Sequence, residues 1–337
     1  MNMADALDRA RCTFPQREAL ICGDTRLTYE QLSEQVAKVA SGLLGTGVVK
    51  GDRVCLYLNN RAEFLIAHYA AMKIGAICVS LSHMLKMDEV TSLVNDCKAK
   101  VLITEAKLIV NVPEKAAIAS VENIVALDGA PCDITWEALH GDVPEGFATC
   151  TTGPGDPATI IYTSGTTGVS KGVVLTHGNL TSNTNASKYM CKMKGEDRAL
   201  LFLPMSHSFA QNFIMNSCMQ AACTLVVQNG FVADVALKAI ASEKITRFYA
   251  VPAIYIMLLS VPETVEAMKS VTYCFSAAAS MPEEVARRWK KALGLDMHEG
   301  YGLTESTPFS TYNHEVNHKF GSVGTPIMNV EIQIIGE

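Results

Sequence analysis

Ten residues, Thr163 to Gly172, hold five hydroxyl side chains, three glycines and one lysine. Glycines at 165, 168 and 172 let the backbone turn tightly and bring N–H groups close to a ligand. Thr163, Ser164, Thr166, Thr167 and Ser170 add short donors, and Lys171 adds a mobile positive charge. Such a loop suits a polyphosphate, although a surface turn can share its composition. It is not a P-loop. Lys171 lies between Ser170 and Gly172, where that motif requires Gly-Lys-Ser/Thr. The run Val173-Val174-Leu175 predicts a strand after the loop, whereas a P-loop opens a helix. Ile160-Ile161-Tyr162 predicts the strand that leads in.

Three further segments carry side chains of chemical interest. Glu299-Gly-Tyr-Gly-Leu-Thr-Glu305 follows a predicted strand and brings an aromatic ring, a hydroxyl and carboxylates together. Phe275-Ser-Ala-Ala-Ala-Ser-Met-Pro282 sits where a strand should give way to a helix, and Leu203-Pro-Met-Ser-His-Ser-Phe209 puts His207 in a loop. Taken singly, each also reads as core or solvated structure. His68, His83, His140, His177 and His298 lack the partner spacing of metal or triad chemistry, and neither Ser164 nor Ser170 is flanked as a nucleophile elbow.

Tyr162-Thr-Ser-Gly-Thr-Thr-Gly-Val-Ser-Lys-Gly172 resembles the phosphate-binding signature of the adenylate-forming superfamily. That superfamily comprises acyl- and aryl-CoA ligases, peptide-synthetase adenylation domains and firefly-type luciferases. The other segments match in the family's order, as do Val251-Pro-Ala253 and Gly321-Ser-Val-Gly-Thr-Pro326. The resemblance implies that Thr163, Ser164, Gly165, Thr166, Thr167, Gly168 and Lys171 hold the β- and γ-phosphates of ATP. It places Tyr301 against adenine, Thr304 near the α-phosphate and Glu305 toward Mg²⁺, with Glu299, Gly300 and Gly302 in the same nucleotide site. Chemically this is sensible: an aromatic face stacks a base and a hard carboxylate oxygen suits magnesium. Ala277 and Ala278 would line the adenine, where relatives often carry glycines. His207, Phe209, Val251, Ala279 and Tyr301 would line the acid pocket.

The implied activity has two steps. A carboxylate attacks ATP to give an acyl-adenylate and pyrophosphate, and a thiol, most often that of CoA, then displaces AMP. The segments at 206–217, 275–279 and 299–306 look closest to fatty-acyl-CoA ligases. An aryl acid is the alternative within the class, and a non-catalytic nucleotide- or acyl-adenylate-binding module or a luciferase-like oxygenase lies outside it. The family's acidic ribose-binding motif, hinge and lysine-bearing small domain are not found before Glu337. The expectation is therefore a large N-terminal domain that binds ligands yet adenylates poorly, which full-rate pyrophosphate exchange would contradict.

To position these residues the chain offers an α/β fold. The 337 residues are 49% apolar and 18% charged, enough for two lobes with buried strands. A net charge of −6 without a basic block argues against nucleic acid, and the eleven scattered cysteines read as reduced thiols of a cytoplasmic protein. The most apolar stretches, 62–81 and 213–227, are interrupted by polar residues and predict no membrane span.

Thr28-Tyr-Glu-Gln31 is a capping box, opening a helix whose apolar face is Leu32, Val36, Val39 and Leu43. Strands are expected at 54–58, 77–81, 101–104 and 123–127, with helices over 61–74 and 87–97. Beyond a Gly/Pro-rich linker at 141–157 come helices over 177–192, 209–220, 232–243, 253–260 and 282–292. Strands alternate with them at 200–203, 224–227, 247–251, 271–275 and 295–297. This alternation predicts two packed α/β subdomains with largely parallel sheets flanked by helices, roughly 1–150 and 158–320. The alternating run Val330 to Ile335 predicts a further strand, opening a third β region over 321–337.

Overall fold

The computed structural model describes residues 1–163 and 170–336, so Ser164 to Val169 of the glycine-rich loop lie outside the described residues. Among the described residues the chain forms two helix-flanked sheets of nine and seven strands. The smaller runs in the order Ile134–Thr135, Asn123–Leu127, Val101–Glu105, Arg53–Tyr57, Ile77–Leu81, Pro157–Thr163, Lys171–Thr176. All its pairings are parallel except the last, a hairpin in which Thr163 faces Lys171 across the glycine-rich loop. The strand expected after that loop is therefore present.

The larger sheet has a parallel centre: Met297–Gly302, Tyr273–Ser276, Arg247–Ala250, Arg198–Leu201, Thr224–Val227 and Glu18–Cys22. Antiparallel strands Phe309–Tyr312 and Thr325–Pro326 extend one edge, and Thr25–Thr28 closes the other. Parallel strands buried on both faces are near-continuous apolar runs, as Thr224-Leu-Val-Val227 illustrates.

The sheets do not divide the chain at the 141–157 segment. Glu18–Thr28 joins the larger sheet and Pro157–Thr176 the smaller, so each lobe borrows strands from the other side of that segment. Gly23-Asp24, with Gly23 at φ +57°, makes the tight hairpin that delivers the N-terminal pair. Most expected elements form within two residues of their predicted bounds. Three differ. Residues 209–216 are wound as a π-helix, followed by a short α-helix, Ser217–Ala221. The last parallel strand extends to Gly302 and is followed by Phe309–Tyr312. Val330 to Ile335 is irregular, with Ile334 94% exposed; alternation alone makes no strand where no neighbouring ladder takes up the backbone hydrogen bonds.

Between the sheets lies helix Ala62–Lys73, mostly apolar and, apart from Glu63, buried along its whole length. It packs on strands of both sheets and on helix Tyr29–Gly45. The latter opens with the predicted reciprocal cap, Gln31 N–H donating to Thr28 Oγ1 at 3.2 Å and Thr28 N–H to Gln31 Oε1 at 2.9 Å. A continuous apolar core runs through this helix and across the two lobes.

Candidate nucleotide and acid site

At the carboxyl ends of the central strands of the larger sheet, facing the hairpin of the smaller one, lies a cavity of about 360 Å³. Ligands of open α/β sheets bind at such strand ends. Thr163, His207, Phe209, Ala277, Ala278, Gly300, Tyr301, Gly302, Thr304 and Glu305 all line it. About 140 residues separate Thr163 from Thr304 in sequence, and the fold closes that gap. Strand Lys171–Thr176 also packs against the turn Thr304–Ser306. Thus the two flanks of the glycine-rich loop meet the acidic turn.

The polar rim is held by its backbone. A bulge at Tyr301/Gly302 breaks the pairing with Phe309–Tyr312 and turns the chain outward. Only glycine fits at 302, where a Cβ would lie 1.6 Å from the carbonyl oxygen of Pro308. Tyr301 N–H donates to Thr311 Oγ1 at 3.1 Å, while its ring is left 52% exposed and free to stack. The Ser306 hydroxyl donates to Pro308 O at 2.8 Å and accepts from Leu303 N–H at 3.2 Å, which tightens the turn carrying Thr304 and Glu305. Behind it Asn183, from helix His177–Met190, donates to Phe309 O at 2.8 Å. Thr304 is buried with its hydroxyl 3.2 Å from that of Ser208, whereas Glu305 is exposed and makes no ion pair among the described residues.

The floor is aromatic. Phe213 lies 4.6 Å from Phe275 and 4.7 Å from Phe309 between ring centres, and Phe209 lies 5.9 Å from Phe275. At the mouth His207 Nδ1 accepts the Phe209 N–H at 3.2 Å. A neutral imidazole so engaged carries its proton on Nε2, a donor available to the cavity. Thr163, His207 and Thr304 are shared with an adjoining cavity of about 460 Å³ whose lining includes Ser80, Tyr162 and Ser170. Tyr162, at the approach to the loop, donates to Asp96 Oδ2 at 2.6 Å and fixes that strand to helix Met87–Asp96.

Other expected residues sit away from the lining. Lys171 is exposed at the start of strand Lys171–Thr176. Val251 caps helix Pro252–Leu258 and packs on the core. Ala279 is exposed beyond Ala278, which adopts a left-handed φ of +69° that favours glycine. Glu299 is buried just behind Gly300, with Oε1 unpartnered among the described residues. Burial pushes its carboxyl up to about 7, only partly offset by the backbone N–H of Met281.

Ser208, Phe213, Pro308 and Phe309 join the lining without having been singled out in the sequence. Their signal was weak: Phe213 lies four residues after Phe209, one turn along a helix, while Phe309 comes from a strand that the sequence pattern did not reveal. His68, His177 and His298 are buried structural groups. His68 Nδ1 contacts Cys78 Sγ, His177 Nδ1 accepts the Met3 N–H, and His298 stacks on Tyr273. Desolvation pulls His68 down to about 3 and His177 to about 4, so both are neutral at pH 7. Among the described residues no cluster of three His, Cys, Asp or Glu side chains could hold a metal unaided, and no helix is long and apolar enough to cross a membrane.

Two lobes of largely parallel sheet flanked by helices, with a cavity at the strand ends, define an α/β architecture. The chain belongs to the AMP-binding enzyme family, which matches residues 7–337. It is 30% identical to a feruloyl-CoA synthase of Amycolatopsis over 97% of this chain and 65% of that protein, so it spans just under two thirds of that relative. The crystal structure of the anthranilate CoA ligase AuaEII in complex with anthranoyl-AMP superposes with a TM-score of 0.95 at 25% identity, covering all of this chain and 66% of that one. The N-terminal domain of FACL13 from Mycobacterium tuberculosis, solved with an inhibitor, superposes with a TM-score of 0.87 at 29% identity, over 97% of this chain and 82% of that one.

Proposed function

We propose that the chain binds ATP and a carboxylic acid side by side and supports their condensation to an acyl-adenylate, the precursor of a CoA thioester. The observation that carries this reading is the convergence of Thr163, Tyr301, Thr304 and Glu305 on one cavity with an aromatic floor. The exposed Tyr301 ring stacks the adenine, and Glu299 with Ala277 and Ala278 closes the base pocket. The triphosphate runs past Thr304 toward Thr163, Ser170 and the adjoining cavity, where the loop amides, hydroxyls and Lys171 receive its β- and γ-phosphates. Glu305 fits Mg²⁺ in the way that ion prefers, one carboxylate with the rest of its shell from phosphate oxygens and water. When bound, the ion supplies charge neutralisation across those oxygens.

The acid enters over Phe209, Phe213, Phe275 and Phe309 with its carboxylate toward the mouth, where the Nε2–H of His207 orients it. Two anions must meet, so the work of these residues is positioning and charge compensation. Converting the carboxylate to a mixed anhydride gives a later thiol a good leaving group. Magnesium and cytoplasmic residence remain part of this reading, as does an aliphatic acid of medium or long chain. The aryl alternative draws support from the phenylalanine floor and from the acids in the relatives' names. Calorimetric titration with Mg·ATP, then with decanoate and benzoate, tests both levels. Absence of nucleotide binding would defeat the proposal, and preference for benzoate would replace the aliphatic acid with an aryl one.

A further inference from the structure

The two faces of the smaller sheet are packed separately. One joins the core that runs through both lobes, and the other is a distinct apolar cluster beneath helix Met87–Asp96. That helix is held by three buried side chains, Val90, Leu93 and Val94. Two thiols belong to the same cluster. Cys55 lies in strand Arg53–Tyr57, and Cys97 is the residue that ends the helix. Their Sγ atoms are 3.6 Å apart, although 42 positions separate them in sequence.

The two sulfurs are not equivalent. Cys55 is fully buried, whereas Cys97 is 9% exposed and lies between the exposed residues Asp96 and Lys98, so a small oxidant meets Cys97 first. Arg53 ties the backbone there to the strand that carries Cys55, its Nε donating to Cys97 O at 2.6 Å and its Nη2 to Lys98 O. The Cys55 S–H, as donor, holds the Cys97 thiol below its ordinary range, against desolvation and with help from the Arg53 charge. The same contact, with burial, pushes the Cys55 thiol up. Cys97 is thus the nucleophile of the pair, and Cys55 stands where it can resolve whatever Cys97 becomes.

We infer that Cys55 and Cys97 form a peroxide-sensitive pair whose reversible disulfide fastens helix Met87–Asp96 to the smaller sheet. First the Cys97 thiolate attacks one oxygen of a hydroperoxide. The O–O bond breaks, and for hydrogen peroxide the departing hydroxide takes up the proton that the thiol released, leaving a sulfenic acid and water. The Cys55 sulfur then attacks the Cys97 sulfur. The S–O bond breaks, the S–S bond forms, and hydroxide leaves with the Cys55 proton as a second water. Two electrons pass from the thiols to one peroxide, and a dithiol reductant returns them by exchange. The sulfurs close from 3.6 Å to about 2 Å, and the new bond restricts the unfolded chain. Neither step draws on the proposed ATP and acid sites.

The test treats the folded parent chain with hydrogen peroxide, alkylates the remaining thiols in denaturant and maps unreduced tryptic peptides by mass. Trypsin leaves Cys55 in peptide 54–61 and Cys97 in peptide 87–98. The expected product is the cross-link of these two peptides, lost on treatment with dithiothreitol, with the thermal midpoint of the oxidised chain raised by about 5 °C. In Cys55→Ala, oxidation of Cys97 should stop at the sulfenic acid, trapped by dimedone on peptide 87–98. In Cys97→Ala, Cys55 should stay reduced. Should either variant fail to fold, the peptide map of the parent decides alone. Recovery of both cysteines alkylated from a chain whose exposed Cys12 has been oxidised overturns the inference. So does a cross-link that forms only in the urea-unfolded chain, because the folded geometry would then play no part. A cross-link without a higher midpoint also overturns it, since the helix would not be fastened.

Discussion

The floor of the cavity and its rim are built differently. Phe209, Phe213, Phe275 and Phe309 are buried and contact one another, whereas Tyr301 and Glu305 stand largely in solvent. The floor is an outcrop of the hydrophobic core, so its shape is set by packing and its alteration costs stability. Little of the folding energy depends on the rim's side chains. Its conformation is set instead by a bulge, a glycine without room for a Cβ and hydrogen bonds from Ser306 and Asn183. Under the proposed function, shape selection of an acid and binding of a nucleotide would fall to regions that fail in different ways.

Substitutions should separate the two regions. Phe213→Ala, the deepest cut in the floor, should cost about 3–4 kcal/mol in chemical unfolding, with acid binding lost alongside. A cost below about 1 kcal/mol would mean that the floor is loosely packed. Glu299, behind the rim, gives a pH signature. Its carboxyl titrates near 4.5 when unfolded and about 7 when folded. Its contribution to stability is complete below pH 4.5 and is lost as pH rises through about 7, a swing of roughly 3 kcal/mol at most. Glu299→Gln should therefore match the parent at pH 4.5 and exceed it at pH 8 in urea unfolding; equal stability at both pH values would refute the buried-carboxyl account. Tyr301→Ala should weaken AMP binding about tenfold, or about 1.4 kcal/mol, and leave stability within about 0.5 kcal/mol. Concerted loss of both would make the ring part of the floor. Smallest of all, Ala278→Gly should raise stability by about 1 kcal/mol by relieving the left-handed backbone, as read by the thermal midpoint.

Much of the scaffold was legible because local rules decide it. The Thr28–Gln31 cap and the strands Ile77–Leu81 and Thr224–Val227 form as predicted, since capping chemistry and apolar β-branched runs act over a few residues. The N-terminal hairpin carried a readable signal, Gly23-Asp24 directly after the apolar run Ala19 to Cys22, but nothing local tells which sheet it joins. The π-winding of Phe209–Asn216 was hidden because its apolar spacing also suits an α-helix; long-range bonds of Gln211 and Asn216 accompany the departure. Val330 to Ile335 shows the opposite error, a strand pattern without a partner.

Within the site, Tyr301, Thr304 and Glu305 could be read from one short segment, and the structure gathers them with His207 and Phe209. The floor could not. Phe213, Phe275 and Phe309 converge from three elements, and only the sheet order brings them together. Asn183 was equally invisible, because its role is to hold a turn more than 120 residues away.

The central claim is that the hairpin flanking the glycine-rich loop and the turn at Glu305 serve one triphosphate. Titrating ATP and AMP, each with Mg²⁺, into the parent chain, Lys171→Ala and Glu305→Ala tests it most directly. The account predicts that both variants lose about tenfold or more in ATP affinity and less than about twofold in AMP affinity, because only ATP reaches both groups. ATP binding unchanged in both variants, or absent from the parent, would contradict it.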